Sequence, residues 1–163
     1  MAKLITVLLV VAICVGLALL AFKAWRSRRK EQSIKFSAPA ETLDSEILER
    51  APGQYVATTF RDEPLNRVNA YGLGFRGRAE VQVSSAGITI LRRGERGLAL
   101  TNDQIQGVGL AQGTIDRVVE KGGLVAIDWQ QDSTELTTFL RFNNVADRNR
   151  VLRATPVLAR KAI

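Results

Sequence analysis

The chain has 163 residues, 46% of them hydrophobic, with a formal net charge of +7, one cysteine and no histidine. That cysteine count excludes an intramolecular disulfide, and without histidine the usual transition-metal sites and the nucleophile and base pairs of most hydrolases fall away, leaving carboxylate, lysine or tyrosine chemistry. The charge is uneven: setting aside Lys3, Lys23, Arg26, Arg28, Arg29 and Lys30 leaves 17 basic against 16 acidic residues, so the remainder is near neutral and lacks the basic face of a nucleic-acid binder.

The first predicted element is a membrane-spanning helix. Leu4 to Phe22 carries no charge, and at ~1.5 Å per helical residue it reaches roughly 28 Å, close to the hydrocarbon thickness of a bilayer. A cleaved signal peptide is the competing assignment. It calls for a shorter apolar core and small residues at its exit, whereas Ala21, Phe22, Lys23, Ala24 and Trp25 lead straight into a basic cluster.

Lys23, Arg26, Arg28, Arg29 and Lys30 outweigh Lys3, which places the N-terminus outside the cell membrane and the rest of the chain on the cytoplasmic side. Trp25 sits where an interfacial aromatic anchor belongs, and the arginines beside it reach lipid head groups. Ala12 and Gly16, with Cys14 and Ala18 nearby, form a small-residue face suited to helix packing in a homo-oligomer or a larger membrane complex.

Residues 1–30 are thus read as anchor and flank, and 31–53 as a polar linker. Within the linker, Leu43, Ile47 and Leu48 fall at helical spacing behind Pro39, predicting a short amphipathic helix over Glu41 to Arg50. Beyond Gly53 the period becomes two. Gln54 to Phe60 is the first predicted strand, and a turn-rich stretch from Arg61 to Gly77 follows it. Val81 and Val83 alternate with Glu80, Gln82 and Ser84, and Ala86-Gly87 turns into Ile88 and Ile90.

Arg92, Arg93 and Arg96 surround Gly94 in a charged loop, a compact basic tip for an acidic partner or a head group. Leu98 and Leu100, then Ile105, Val108 and Leu110, mark further strands, with Gly107 and Gly109 at a bulge or bend. Thr114 to Glu120, Lys121-Gly122-Gly123, Leu124 to Trp129 and Glu135 to Phe142 complete the sheet. The period then returns to helical. Asn144 is the expected N-cap, Asp147 suits the first turn, and Val151, Leu152, Leu158 and Ala159 form an apolar stripe interrupted by Pro156, with Arg160 and Lys161 near the negative pole.

Gly72-x-Gly74-x-x-Gly77 spells a dinucleotide fingerprint, but that chemistry needs a helix after the glycines, and here a strand is predicted. The carboxylate pairs Asp116 with Glu120 and Asp128 with Asp132 do not single out a catalytic site. A small closed sheet with the last helix over one end buries the edges of so short a β domain.

That order resembles the pleckstrin-homology (PH) superfold. Tyr55 to Phe60, Gly72-Leu73-Gly74-Phe75-Arg76-Gly77-Arg78-Ala79 and Leu140-Arg141-Phe142-Asn143 are similar to a family of actinobacterial single-span membrane proteins with a PH-like domain, often labelled transporters or export proteins. The resemblance implies a transmembrane helix followed by a mainly antiparallel PH-like barrel of about seven strands over 54–163, capped by a C-terminal helix. It also implies a binding or scaffold module, not an enzyme, with no cofactor or metal. One helix cannot form an alternating-access pathway by itself.

In lipid-binding PH domains the phosphate site lies between the first two strands, a connection that here holds Arg61, Arg67, Arg76 and Arg78. The leading lysine of the PH pattern is missing, and Asp62 and Glu63 oppose the charge. The expected function is recruitment of a protein partner at the inner membrane face through loops at the barrel's open end. The alternatives are an anionic head-group sensor or an accessory subunit of a transporter or other membrane complex.

Overall fold

The computed structural model describes residues 2–111, 113–114, 117–118 and 123–155, with the side chains of 5–27, 35–111 and 123–155. Helix α1 (Ala2–Lys35) is continuous; between Leu4 and Phe22 its leucine, isoleucine, valine and alanine are interrupted only by Thr6, Cys14 and Gly16, and in lipid a helix satisfies the backbone of such a stretch. Its segment Ile5–Ser27 has a mean hydropathy of 3.0, and none of it is buried against the rest of the molecule. The helix is long and apolar enough to cross a membrane.

The β strands follow as β1 (Ile47–Phe60), β2 (Glu63–Arg67), β3 (Gly77–Ser84), β4 (Gly87–Arg92), β5 (Leu98–Thr101) and β6 (Ile105–Ala111). A short hairpin, β7 (Gly113–Thr114) with β8 (Arg117–Val118), precedes β9 (Leu124–Gln131) and β10 (Thr134–Phe142). Eight strands make one antiparallel sheet in the order β5-β4-β3-β1-β10-β9-β6, with β2 added to β1. The long first strand pairs through Ile47 to Tyr55 with β3 and through Gly53 to Phe60 with β10, so it bends across both halves of the sheet. Among the described residues no ladder joins β5 to β6.

Period-two alternation places Val81, Val83, Ile88, Ile90, Leu98, Leu100, Val125, Ile127, Trp129, Leu136 and Leu140 in one core. Helix α2 (Val145–Ala154) packs on β1, β3 and β10 and inserts Val151. Its start is fixed by Asn144, whose side chain accepts from the Asp147 amide at 2.7 Å and donates to the Asp147 carboxylate at 2.7 Å. Arg150 bonds that same carboxylate and reaches Glu49 of β1 at 3.4 Å. The helix ends at Thr155, whose extended backbone is the conformation a residue before proline prefers. Pro156, Leu158, Ala159, Arg160 and Lys161 lie outside the described residues, as do Asp116, Glu120, Lys121 and Gly122.

The short helix expected over Glu41 to Arg50 is not formed. Glu41 to Glu46 are irregular, with bends at Glu41 and Ser45, and Ile47 to Arg50 already belong to β1, opposite Gln82 to Ser84 of β3. Leu43, Ile47 and Leu48 match a helical stripe, but in the fold Ile47 is 39% and Leu48 59% exposed. Ladder hydrogen bonds to β3 outweigh the local preference. The folded unit also begins earlier than Gln54: Phe36 is buried in the core, one residue past the end of α1.

Candidate functional site: the mouth of the sheet and its arginines

A β-bulge between Tyr55 and Ala57 turns Tyr55 and Thr58, three residues apart, onto the inner face. There a directed chain of hydrogen bonds forms. Trp129 Nε1 donates to Thr138 Oγ1 at 2.9 Å, Thr138 and Thr58 hydroxyls meet at 2.7 Å, and Thr58 meets the Tyr55 hydroxyl at 2.6 Å. Because the Tyr55 hydroxyl spends its proton on the Leu73 carbonyl at 2.7 Å, each threonine must donate toward Tyr55. Burial pushes the Tyr55 phenol far above its ordinary pKa.

Arg92 closes this network from the β4 side. Its guanidinium donates to the carbonyls of Gly72 at 2.7 Å and Arg96 at 2.7 Å, and it lies 4.8 Å from the Tyr55 ring centre. Arg92 therefore leaves the solvated tip where the sequence suggested it. At 6% exposure it is a core residue that holds the 70–74 turn against the β4–β5 loop, and burial lowers its pKa. The glycines of the fingerprint serve that turn. Gly72 has φ +71°, and a Cβ there would lie 2.5 Å from the Glu95 carboxylate. Strand β3, not a helix, follows Gly77.

The connection between β1 and β3 receives the residue that follows α1. Phe36 enters it, stacking edge-on to Tyr71 with ring centres 5.5 Å apart, while Tyr71 donates its hydroxyl to the Phe36 carbonyl at 2.9 Å. Lys35 places its ammonium 4.9 Å from the Phe60 ring centre, and its carbonyl accepts from Thr134 at 3.1 Å. Downstream, the Ser37 amide donates to Asp132 at 2.6 Å, the Ala40 carbonyl accepts from the Ala99 amide at 2.8 Å, and Glu41 pairs with Arg96 at 2.6 Å. Residues 36–41 thus form a strap from the β9–β10 turn to the free edge of β5.

The expected basic residues are scattered by this arrangement. Arg61 bonds Gln106 at 2.6 Å and lies 3.5 Å from the buried Asp128 and 3.9 Å from Glu135. Arg67 is half-buried on β2, and Arg96 is held by Glu41. Arg76, Arg78 and Arg93 are exposed, and Arg78 and Arg93 line a shallow cavity of about 420 Å³ with Pro52, Leu91 and Glu80. On α1, Lys23 and Arg26 are exposed and Trp25 is near Phe22, their ring centres 6.0 Å apart. Arg28, Arg29 and Lys30 continue the helix with side chains outside the described set. Ala12 is exposed on α1 and Gly16 is partly exposed.

Sequence reasoning missed Phe36, the Tyr55 network and Arg141. An aromatic two residues ahead of a small-residue stretch (Ala38, Pro39, Ala40) was the available signal for the first. A pair of in-facing threonines opposite a tryptophan was the signal for the second. Among the described residues no cluster of acidic or cysteine side chains has the grouping of a metal site.

A long first strand shared by two halves of an antiparallel sheet, seven strands in the main path and a C-terminal helix over one end define a PH-like domain. The class is one of binding modules. The chain belongs to the bacterial PH domain-like family, whose profile matches residues 34–156. That match begins beside Phe36, where the folded unit starts, and takes in the strap. No curated protein is similar enough to the chain to count as a match.

Proposed function

We propose that the protein is a membrane-tethered, cytoplasmic PH-like scaffold that holds a protein partner at the inner face of the cell membrane. The observation that carries this reading is the junction: one helix runs from the apolar segment to Lys35, and the next residue is buried in the domain. A tether this short and this well packed suits a module whose distance from the bilayer matters. The basic flank of Lys23, Arg26, Arg28, Arg29 and Lys30 supports a cytoplasmic domain. Family membership supports binding in place of catalysis.

Phe36 packs against Tyr71 of the connection where lipid-binding PH domains take a phosphate, and Arg61 lies 3.5 Å from Asp128. Head-group sensing through Arg61, Arg67, Arg76 and Arg78 is therefore the weaker reading. Ala12 and Gly16 leave α1 a face for a second anchor helix or for a larger membrane complex. Crosslinking in intact cells, followed by purification of the full chain and mass spectrometry, tests the proposal. A stoichiometric protein partner is expected. Recovery of the chain without one rejects recruitment, and loss of the domain to protease added outside whole cells rejects the orientation.

A further inference from the structure

On the outer face of the sheet, exposed residues of β3, β1 and β10 stand side by side with Arg93, the first residue past the end of β4. The Arg93 amide donates to the Arg78 carbonyl at 3.0 Å, Arg78 is opposite Gln54, and Gln54 is opposite Arg141. The inward partners of this row, Ala79 and Arg92, are buried, so alternation turns the row itself outward. With adjacent strands ~4.8 Å apart, Arg93 and Arg141 stand roughly 14 Å from each other along the row.

None of the three arginines has a side-chain hydrogen bond or ion pair among the described residues. The surrounding charges behave differently. Arg50 is near Glu80, Arg61 near Asp128 and Glu135, Arg96 on Glu41 and Arg150 on Glu49. Like charges on facing positions of adjacent strands destabilise a sheet. Arg78 and Arg93 thus set two like charges side by side, with Glu80 lining the same cavity. One row further along, Pro52, Glu80 and Leu91 line the adjoining cavity; the Glu80 carboxylate lies 3.9 Å from Arg50, and Leu91 is 37% exposed.

We propose that this row and cavity form a docking surface for an acidic segment of a protein partner, with carboxylates on Arg78, Arg93 and Arg141 and one apolar side chain against Pro52 and Leu91. The inference rests on the recruitment reading above and moves the contact from the mouth, which the strap occupies, to the side wall of the sheet. A protein segment fits both halves of the surface. Paired arginine and carboxylate groups give directional, charge-assisted hydrogen bonds, and a side chain enters the recess. A flat bilayer offers nothing to the recess, and a nucleic acid is disfavoured by the near-neutral domain.

The test uses the full chain in nanodiscs of zwitterionic phosphatidylcholine, titrated with a labelled glutamate-rich peptide containing one leucine and with its glutamine-substituted counterpart. Amide shifts centred on Gln54, Arg78, Arg93 and Arg141 are expected for the acidic peptide alone. Binding should weaken at least tenfold in the R78Q/R93Q/R141Q variant and stay unchanged in an R148Q/R153Q control on α2. Equal binding by the row variant and wild type overturns the proposal. So does a row that responds only to phosphatidylglycerol in the nanodisc, which assigns it to lipid, or only to rising protein concentration, which assigns it to a second copy. In the crosslinking experiment, a partner retained by the row variant overturns this surface and leaves recruitment standing. A wild-type chain with no partner overturns recruitment itself.

Discussion

Arg92 lays its guanidinium 4.8 Å from the centre of the Tyr55 ring while donating to the carbonyl of Gly72, which links β4, β1 and the 70–74 turn through one side chain. A buried guanidinium with several carbonyl partners is costly to truncate, because the Gly72 carbonyl then keeps only the longer bond from the Phe75 amide at 3.3 Å and the Arg96 carbonyl loses its guanidinium donor. Arg92→Ala should lower stability by about 3 kcal/mol, read as a fall in the urea midpoint. Arg92→Lys should recover little of that loss, since an ammonium cannot reproduce the planar set of donors. A variant as stable as wild type would show that the guanidinium is solvated.

The hydroxyl chain from Trp129 to Tyr55 gives two unequal substitutions. Thr138→Val removes the acceptor of the Trp129 N–H and the donor to Thr58, and should cost about 1–3 kcal/mol. Tyr55→Phe should cost less, about 1 kcal/mol, because the Leu73 carbonyl keeps its bond from the Thr58 amide at 3.0 Å. Equilibrium unfolding of the two variants gives the ranking.

Alkaline titration reports on the same phenol. Burial raises the Tyr55 pKa, so the unfolded chain ionises first and the folded state binds more protons at high pH. The contribution of Tyr55 is fully present below about pH 10, the ordinary phenol value, and declines as pH climbs toward the folded value. Tyr55→Phe should flatten this alkaline fall in denaturant midpoint; an identical slope in the variant would assign the fall to other groups.

At the acid end the group to watch is Asp147. The hydrogen bond from Arg150, helped by Asn144, holds its carboxyl below the usual carboxylate range. Its stabilising effect is present above about pH 4 and is lost as pH falls through the lowered folded value. Asp147→Asn should therefore lower stability at neutral pH and shrink the loss between neutral and strongly acidic solution. A variant that tracks wild type at every pH would separate the helix cap from acid unfolding.

The strap is open to a backbone-level test. A Cβ added at Gly97 would stand 2.2 Å from the Glu41 carbonyl oxygen, too close for any rotamer to relieve. Gly97→Ala should push the strap from the β4–β5 loop and speed hydrogen exchange at the Ala99 amide, which donates to Ala40. Phe36→Ala, by emptying a buried aromatic site, should cost about 3–5 kcal/mol. Unchanged exchange at Ala99 in the glycine variant would mean that the strap is held elsewhere.

Much of this architecture was legible from local pattern. The charge-free run from Leu4 to Phe22 has one compatible regular structure in lipid, and the alternation around Val81, Val83, Ile88 and Ile90 needs only a sheet with one buried face. Asn144 and Asp147 announce the last helix because capping is a matter between neighbours in sequence. What escaped were contacts made across the fold. Ile47 to Arg50 read as helix since their partner strand lies more than thirty residues away. Arg92 and Arg93 are adjacent and chemically identical, and only the parity of β4 sends one into the core and the other to the surface. The alignment of Arg78, Arg93 and Arg141 depends on the registers of three strand pairs, which no single stretch of sequence contains.

Because α1 is helical without a break to Lys35 and Phe36 is locked into the domain, the compass bearing of the side wall is set by helix phase. Each residue advances an α-helix by about 100° and 1.5 Å. One extra alanine after Ser27 would swing the arginine row to another side of the mast and leave every contact within the domain intact. Seven extra residues, close to two full turns, would lift the domain and nearly restore its bearing, so a partner fixed in the plane of the membrane would tell the two insertions apart.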